Sequence, residues 1–484
     1  MSISSALAGA LSGLTAASRA AETVSSNIAN ARTEGYAPRE LQLSAQRVGL
    51  TGQGVHVDGV MRRVDTVLLR DRRGAEAETA NATVIASFWT GMEQGYGTPT
   101  DPMSLSGRIT RLDSALLTAM SSPESSANLT AVVDAADQLA QMFGKIGNQI
   151  QSVRMTADGE IATQVNEVNR AVAAVAKLNT SIVAVSSGGR DASALQDERQ
   201  RLIDSISGIL PIKEIAQKDR RVALFTTNGA VLLDGQAFKL GFQSTGLITP
   251  DMTLESGALA GLTLNGQPLR LDSAGPLAGG SLAAQIALRD SLAPQAQQDL
   301  DSLAQDLVLR FSDPAVDPTR ASGAPGLFTD AGQSFDIANL TGLSQRLSLN
   351  AAVDPDQNGA SWRIREGLGA TQPGATGFSG QISALQDALS RAVPTGFGSI
   401  FPANRSFADL AAQLGSVVSS SRLTAETEVS FGQSRLTALQ TLERAGGVDT
   451  DAELQDLMLI EQAYAANAKV IETVDRLIQR LMEI

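Results

Sequence analysis

The chain has 484 residues, more than one hydrophobic core usually serves, so two to four domains are expected. It carries 51 acidic against 38 basic side chains, a formal charge of −13, which argues against binding nucleic acid or an anionic membrane, since both need a basic face. With no cysteine and one histidine, His56, it has almost no material for disulfides, thiolate or histidine metal sites, cysteine nucleophiles or Ser-His-Asp triads.

The first predicted element is a helix. Leu7, Ala10, Leu14, Ala17, Ala21, Val24 and Ile28 recur at alternating spacings of three and four, a coiled-coil seam that Leu11 broadens. The start Met-Ser-Ile-Ser-Ser lacks the basic n-region of a secretory signal, so the segment reads as a helix of the mature chain. The pattern stops at Asn30, and Gly35-Tyr36-Ala37-Pro38 forbids its continuation. Gly49, Gly52 and Gly54 lead into Val55-His56-Val57, which reads as a hairpin turn with His56 on a strand surface rather than as a nucleotide loop. No stretch approaches the ~18 apolar residues of a membrane span, so no membrane insertion is expected.

Long helices follow. Leu129, Val132, Ala136, Leu139, Phe143, Ile146, Ile150 and Val153 form one stripe, and Ile161, Val165, Val168, Val172, Val175 and Ile182 form another. Asp158-Gly159 between them reads as a turn or a local irregularity, and two long helices joined so briefly suggest an αα-hairpin in a bundle. Further helical patterns cover about 282–310 and 406–444. The mixed charges of Asp71-Arg72-Arg73 and Asp197-Glu198-Arg199 suit a solvated helix face or an intersubunit salt bridge, not an acid–base pair.

From 211 the segments shorten. Val222–Thr227, Val231–Leu233, Ala237–Phe242, Leu262–Leu264 and Leu269–Leu271 are separated by Asn228-Gly229, Asp234-Gly235 and Asn265-Gly266, the marks of β-hairpins. The Gly-, Pro- and Asp-rich stretch 311–403 is expected to add irregular β structure. Within it, Asp354-Pro355-Asp356-Gln357-Asn358-Gly359 begins like an EF-hand loop, but its twelfth position is Arg365, so it reads as a turn. Trp89 and Trp362 read as packing residues.

The last element is again a seam helix: Leu457, Ile460, Tyr464, Asn467, Ile471, Val474, Ile478 and Leu481 keep the three–four alternation, with Asn467 as its register-setting polar position. The fold class is therefore mainly α with a β-rich insertion. Terminal coiled-coil helices occupy 1–60 and 445–484, a helical bundle 61–210, 281–310 and 404–444, and a small outer β domain 211–280 and 311–403.

The run Asn27-Ile28-Ala29-Asn30, two residues, Thr33, one residue, Gly35-Tyr36 resembles the N-terminal signature of the rod, hook and hook-associated axial proteins of the bacterial flagellum. That family has an Arg soon after the Tyr; here Ala37-Pro38 intervenes and Arg39 comes one position late. Glu461-Gln462-Ala463-Tyr464-Ala465-Ala466-Asn467-Ala468-Lys469-Val470-Ile471 is similar to the matching C-terminal motif. Inside, Val168-Asn169, Leu178-Asn179 and Ala194–Ile203 resemble the hook-associated protein 1 family of hook–filament junction proteins.

The resemblance implies a structural subunit joining hook to filament, without catalytic, cofactor or metal residues. It implies export unfolded through the flagellar type III channel, without a cleaved signal peptide, and an extracellular place in the flagellum. The implied partners are other copies in a ring or helical layer, the hook protein, the second hook–filament junction protein, and a cytoplasmic export chaperone on the C-terminal helix. The alternatives are a hook or distal-rod subunit, which would lack the Leu195–Ile203 motif, or a surface adhesin or enzyme carried on a coiled-coil base.

Overall fold

The computed structural model describes residues 3–33, 35–48, 51–98, 100–272, 274–393, 401 and 404–482; Gly49 of the expected glycine turn lies outside them. In chain order come α1 (Ile3–Asn30), a long antiparallel hairpin of β1 (Arg39–Val48) and β2 (Thr51–Arg62), α2 (Thr66–Tyr96), α3 (Leu105–Ser121), α4 (Ser126–Ser187) and α5 (Ser193–Asp204). His56 is exposed on β2.

A β unit follows. One sheet runs β3 (Ile212–Ala216), β4 (Val222–Thr226), β5 (Val231–Asp234) and β6 (Gln236–Ala237); a smaller one runs β7 (Leu240–Gly241), β8 (Thr263–Leu264) and β9 (Gln267–Pro268). The Gly residues of the three expected turns, Gly229, Gly235 and Gly266, all have positive φ, the backbone such tight turns require. The third strand pair closes earlier than its apolar run suggests, at Gln267–Pro268 rather than Leu269–Leu271.

The chain then returns to helices: α6 (Gly280–Ala287), one π-turn (Leu288–Leu292) and α7 (Ala293–Ser312). A turn-rich stretch carries β10 (Phe328–Asp330), α8 (Leu343–Arg346), β11 (Leu347–Leu349), α9 (Arg363–Glu366) and α10 (Gly380–Ser390). Last come α11 (Phe407–Ala445) and α12 (Thr450–Met482). Polar caps explain several of these starts. Asp65 accepts from the N–H groups of Val67 and Leu68, and Ser406 with Asp409 forms a capping box at α11.

The expected break at Asp158-Gly159 is absent: α4 is one helix of 62 residues, about 93 Å long. Asp158 does not fold back on its own backbone because its carboxylate is used elsewhere, accepting from Arg289 Nη1 at 2.7 Å and from the Thr245 N–H. Gly159 alone costs only about 1 kcal/mol in a helix. The two apolar stripes are thus two stations of one helix. Leu129 to Ala157 line a bundle core with α3, α7 and α11, while Ile161 to Val175 line a second core with the β unit.

The stretch 311–403 also differs from expectation. Its strands among the described residues are the three-residue pair β10 and β11, and its apolar side chains (Leu327, Phe328, Leu343, Val353, Ile364, Ile382) join the bundle core rather than that of the β unit. They come from very short elements and the turns between them, apart from α10, whose Ile382, Leu385, Ala388 and Leu389 face the core at helical spacing. Arg310 of α7 fixes the stretch by donating to the carbonyls of Ala388, Arg391 and Arg405. Asp354–Gly359 is a turn with one 3-10 segment, and the described residues contain no cluster of acids or histidine fit to hold a metal. Trp89 and Trp362 pack partly buried against the bundle core.

Four members of the charged triplets, Arg72, Arg73, Asp197 and Arg199, are buried within the chain, while Glu198 is exposed and Asp71 half-exposed, as a solvated face would have them. Arg73 is 2% exposed and bridges Asp204 at 2.6 Å and Glu214 at 2.9 Å, while Arg72 reaches Glu76, Asp204 and Glu443. Burial disfavours the Arg73 charge, but the two carboxylates more than offset it and hold its pKa above the usual value. α2, the end of α5, β3 and α11 are tied together here.

Candidate assembly interface

The two ends form one antiparallel pair. Asn27 of α1 meets Glu453 of α12, and Gly13 lies against Asn467, fourteen residues further along each helix. A Cβ at Gly13 would sit 2.8 Å from the Asn467 amide, so the polar position of the C-terminal seam has a matching hole in α1. On the α1 side Ala10, Ala17 and Val24 are buried and Leu14, Ala21 and Ile28 half-buried. On the α12 side Val474 is buried, and Leu457, Ile460, Asn467 and Ile471 are half-buried.

Other seam residues stay open. Leu7, Leu11, Tyr464, Ile478 and Leu481 are exposed, Leu11 and Leu481 by about 60%. The register explains the last two: Ile3 reaches the level of Leu477, so the end of α12 has no described α1 residue opposite it. A second stripe on α12, Leu459, Ala463, Ala466, Val470 and Leu477, recurs at helical spacing beside the seam and is wholly exposed.

The signature residues build the other end of this pair. Asn27 is 1% exposed and its amide is fully used: Nδ2 donates to the Arg39 carbonyl (2.9 Å) and to Glu453 Oε1 (2.7 Å), while Oδ1 accepts from Tyr36 Oη (2.8 Å) and the Arg39 N–H (3.0 Å). One side chain thereby joins α1, the turn, β1 and α12. Burial pushes the Glu453 carboxyl above its ordinary pKa, partly opposed by the Asn27 hydrogen bond. Asn30 donates to the Ser26 carbonyl and accepts from Thr33, ending the helix. Ala29 and Thr33 are exposed and Ile28 half-buried.

Gly35 has φ +75, and a Cβ there would lie 2.4 Å from the Arg201 side chain of α5, so both conformation and space demand glycine. Arg39 stacks over the Tyr36 ring at 4.8 Å and pairs with Asp197 Oδ2 at 3.0 Å. Arg62 closes the same carboxylate from β2, at 2.7 Å on Oδ1. The N-terminal signature and the interior Ala194–Ile203 motif are therefore two halves of one contact, with Asp197 at its centre. Sequence reasoning missed Asp197, Arg62, Glu453 and Gly13 as members of this site. Asp197 and Arg39 are 158 positions apart, and no local periodicity connects them.

The two asparagines of the interior motif also have work. Asn169 and Asn179 on α4 each pair in both directions with one backbone peptide group or residue of the β unit, at Leu240 and Val222 respectively. A side-chain amide has the donor and acceptor of a peptide, so each fastens a strand to the helix as a neighbouring strand would.

These elements coincide with known families. Residues 90–327 match the helical domain of the flagellar hook-associated protein FlgK. Residues 7–36 match the flagellar basal body rod protein family, and 441–484 the C-terminal family of the flagellar basal body rod FlgEFG proteins. Flagellar hook-associated protein 1 of Escherichia coli K12 is 24% identical over 560 aligned positions that cover all of both chains. That of Bacillus subtilis 168 is 22% identical, covering 97% of this chain and 96% of its own. That of Salmonella typhimurium LT2 is 28% identical over 48% of this chain and 43% of its own. The solved flagellar hook junction protein FlgK from Burkholderia pseudomallei overlaps 54% of this chain and 47% of its own at 18% identity, with a TM-score of 0.43. With rod-type sequences at both ends, the FlgK helical domain between them and relatives aligned from end to end, the chain belongs to the flagellar hook-associated protein 1 family.

Proposed function

We infer that the chain is a structural subunit of the bacterial flagellum that joins the hook to the filament, and that its ends, 1–60 and 445–484, form the polymerising core. The observation that carries this reading is the α1–α12 pair, which covers one seam and leaves a second apolar face open. On that face Leu459, Val470 and Leu477 are 43–62% exposed, and Leu11 and Leu481 at the uncovered parts of the seam are about 60% exposed. Two helices bury little by themselves, and a continuous apolar stripe of this size is favourable only when other chains cover it. Other copies in a ring or helical layer cover it after assembly, with the hook protein on one side and the second junction protein on the other. Before assembly, a cytoplasmic export chaperone shields the C-terminal helix, and the chain leaves unfolded through the type III channel.

No enzymatic role is assigned; its relatives are structural flagellar proteins. The test is a deletion strain. Hooks without filaments, with flagellin shed to the medium and filaments restored by the intact gene, are the expected result. Filaments of normal number on the deletion strain would refute the reading.

A further inference from the structure

A groove of about 730 Å³ lies between α4 and the segment that leaves β6, lined by Thr163, Asn166 and Arg170 on one side and Phe238 and Lys239 on the other. On a chain with net charge −13 its lining contains two cations and no carboxylate. Among the described residues Arg170 has no acid partner and makes one long contact, 3.4 Å, to the Asn166 carbonyl of its own helix. Lys177 follows Arg170 on the same helix face, two turns and about 10 Å further along, and extends the cationic wall.

The far wall is held rigid. The Phe238 N–H donates to the Leu232 carbonyl at 2.9 Å. Lys239 exchanges both backbone bonds with Asn265: its N–H donates to Oδ1 at 2.8 Å, and its carbonyl accepts from the Asn265 N–H at 2.8 Å. Leu240 exchanges both with Asn169, at 2.9 and 2.8 Å. The backbone of Phe238, Lys239 and Leu240 is therefore held in place; Phe238 and Lys239 line the groove, while the Leu240 side chain is buried in the core of the β unit. Such pre-organisation cuts the ordering cost of binding.

We propose that this groove binds a carboxylate-bearing saccharide. The groove is open: Thr163, Asn166, Arg170 and Lys239 are exposed and Phe238 is half-buried, so a ligand would lie along it rather than be enclosed. Arg170 and Lys239 receive the carboxylates by charge-assisted hydrogen bonds, Asn166 and Thr163 meet ring hydroxyls, and the Phe238 ring supplies an apolar face for the sugar C–H groups. An extended acidic peptide is disfavoured because it would need a free strand edge. Beyond the two residues of β6 that edge is closed, its donors and acceptors taken by Asn265 and Asn169.

The test is saturation-transfer NMR on the full chain with trigalacturonate, beside maltotriose and a tri-glutamate peptide. Saturable binding of trigalacturonate is expected, with none of maltotriose and weaker binding of the peptide. Arg170→Ala and Phe238→Ala should each weaken it by about tenfold, while Lys213→Ala, an exposed cation on β3, leaves it unchanged. Circular dichroism melting checks that each variant is folded. Three results overturn the proposal: no binding of trigalacturonate; equal binding of the peptide, which would make the groove a general anion surface; or equal weakening by Lys213→Ala.

Discussion

Replacing Asn27 with alanine removes four hydrogen bonds from a side chain that is 1% exposed. The partners do not suffer equally. Tyr36 keeps a contact to Ser26 Oγ at 3.3 Å, and Glu453, half-buried, can turn toward water. The N–H and carbonyl of Arg39 lose their partner at the foot of the hairpin, where each unsatisfied group costs about 1–3 kcal/mol, so the total is roughly 2–6 kcal/mol. The loss is local, because Asn27 belongs to neither of the two cores that hold α4. Hydrogen exchange read by mass spectrometry is the fitting assay. Protection in 39–62 and 450–460 should fall by at least about thirtyfold, since each 1.36 kcal/mol is tenfold, while α4 and α7 keep theirs. Asn27→Asp sharpens the test by placing a carboxylate beside Glu453. Its hairpin should be less protected than that of the alanine variant at neutral pH and should recover on acidification. Unchanged protection at the hairpin, or a loss spread evenly over the bundle, would refute the reasoning.

Asp158→Ala removes the partner of Arg289, which is 0% exposed but keeps Asp290, so a loss of about 2–3 kcal/mol in denaturant unfolding is expected rather than the full cost of an unpaired buried charge. Asn179→Ala frees both backbone groups of Val222 and one bond of Arg199, and should raise exchange in β3 and β4 while leaving α12 unchanged. Burial raises the folded pKa of Glu453 above its unfolded value, so its contribution is complete below the ordinary glutamate range and is lost as pH rises through the folded value. Glu453→Gln should therefore gain protection at the α1–α12 pair relative to wild type as pH rises from about 4 to about 7. A difference that is flat with pH would contradict this.

The helices were legible because a buried face repeats. The stripes of α1, α4 and α12 stand out in sequence at spacings of three and four, and the Asn-Gly and Asp-Gly turns mark the β unit by their positive φ. What stayed hidden depended on partners distant in the chain. Asp158-Gly159 looked like a turn because the carboxylate that Arg289 and Thr245 occupy is, in sequence, simply a free Asp. Arg39, one position late by the family pattern, still reaches Asp197, because the turn at Gly35 and the hairpin bring Arg39 and Arg62 to the same carboxylate. In the stretch 311–403 most elements are three or four residues long, too short to show a period, and the one helical stripe, Ile382, Leu385, Ala388 and Leu389 of α10, was passed over among the Gly and Pro residues.

The central claim is that the terminal helix pair carries assembly while the rest of the chain folds independently of it. Ile471 lies half-buried in the seam of α12. The most direct measurement is filament count on a deletion strain supplied with Ile471→Asp, beside the melting of the purified variant. Hooks without filaments, together with a bundle that melts as in wild type, are expected. Filaments in normal number on that strain would contradict the claim.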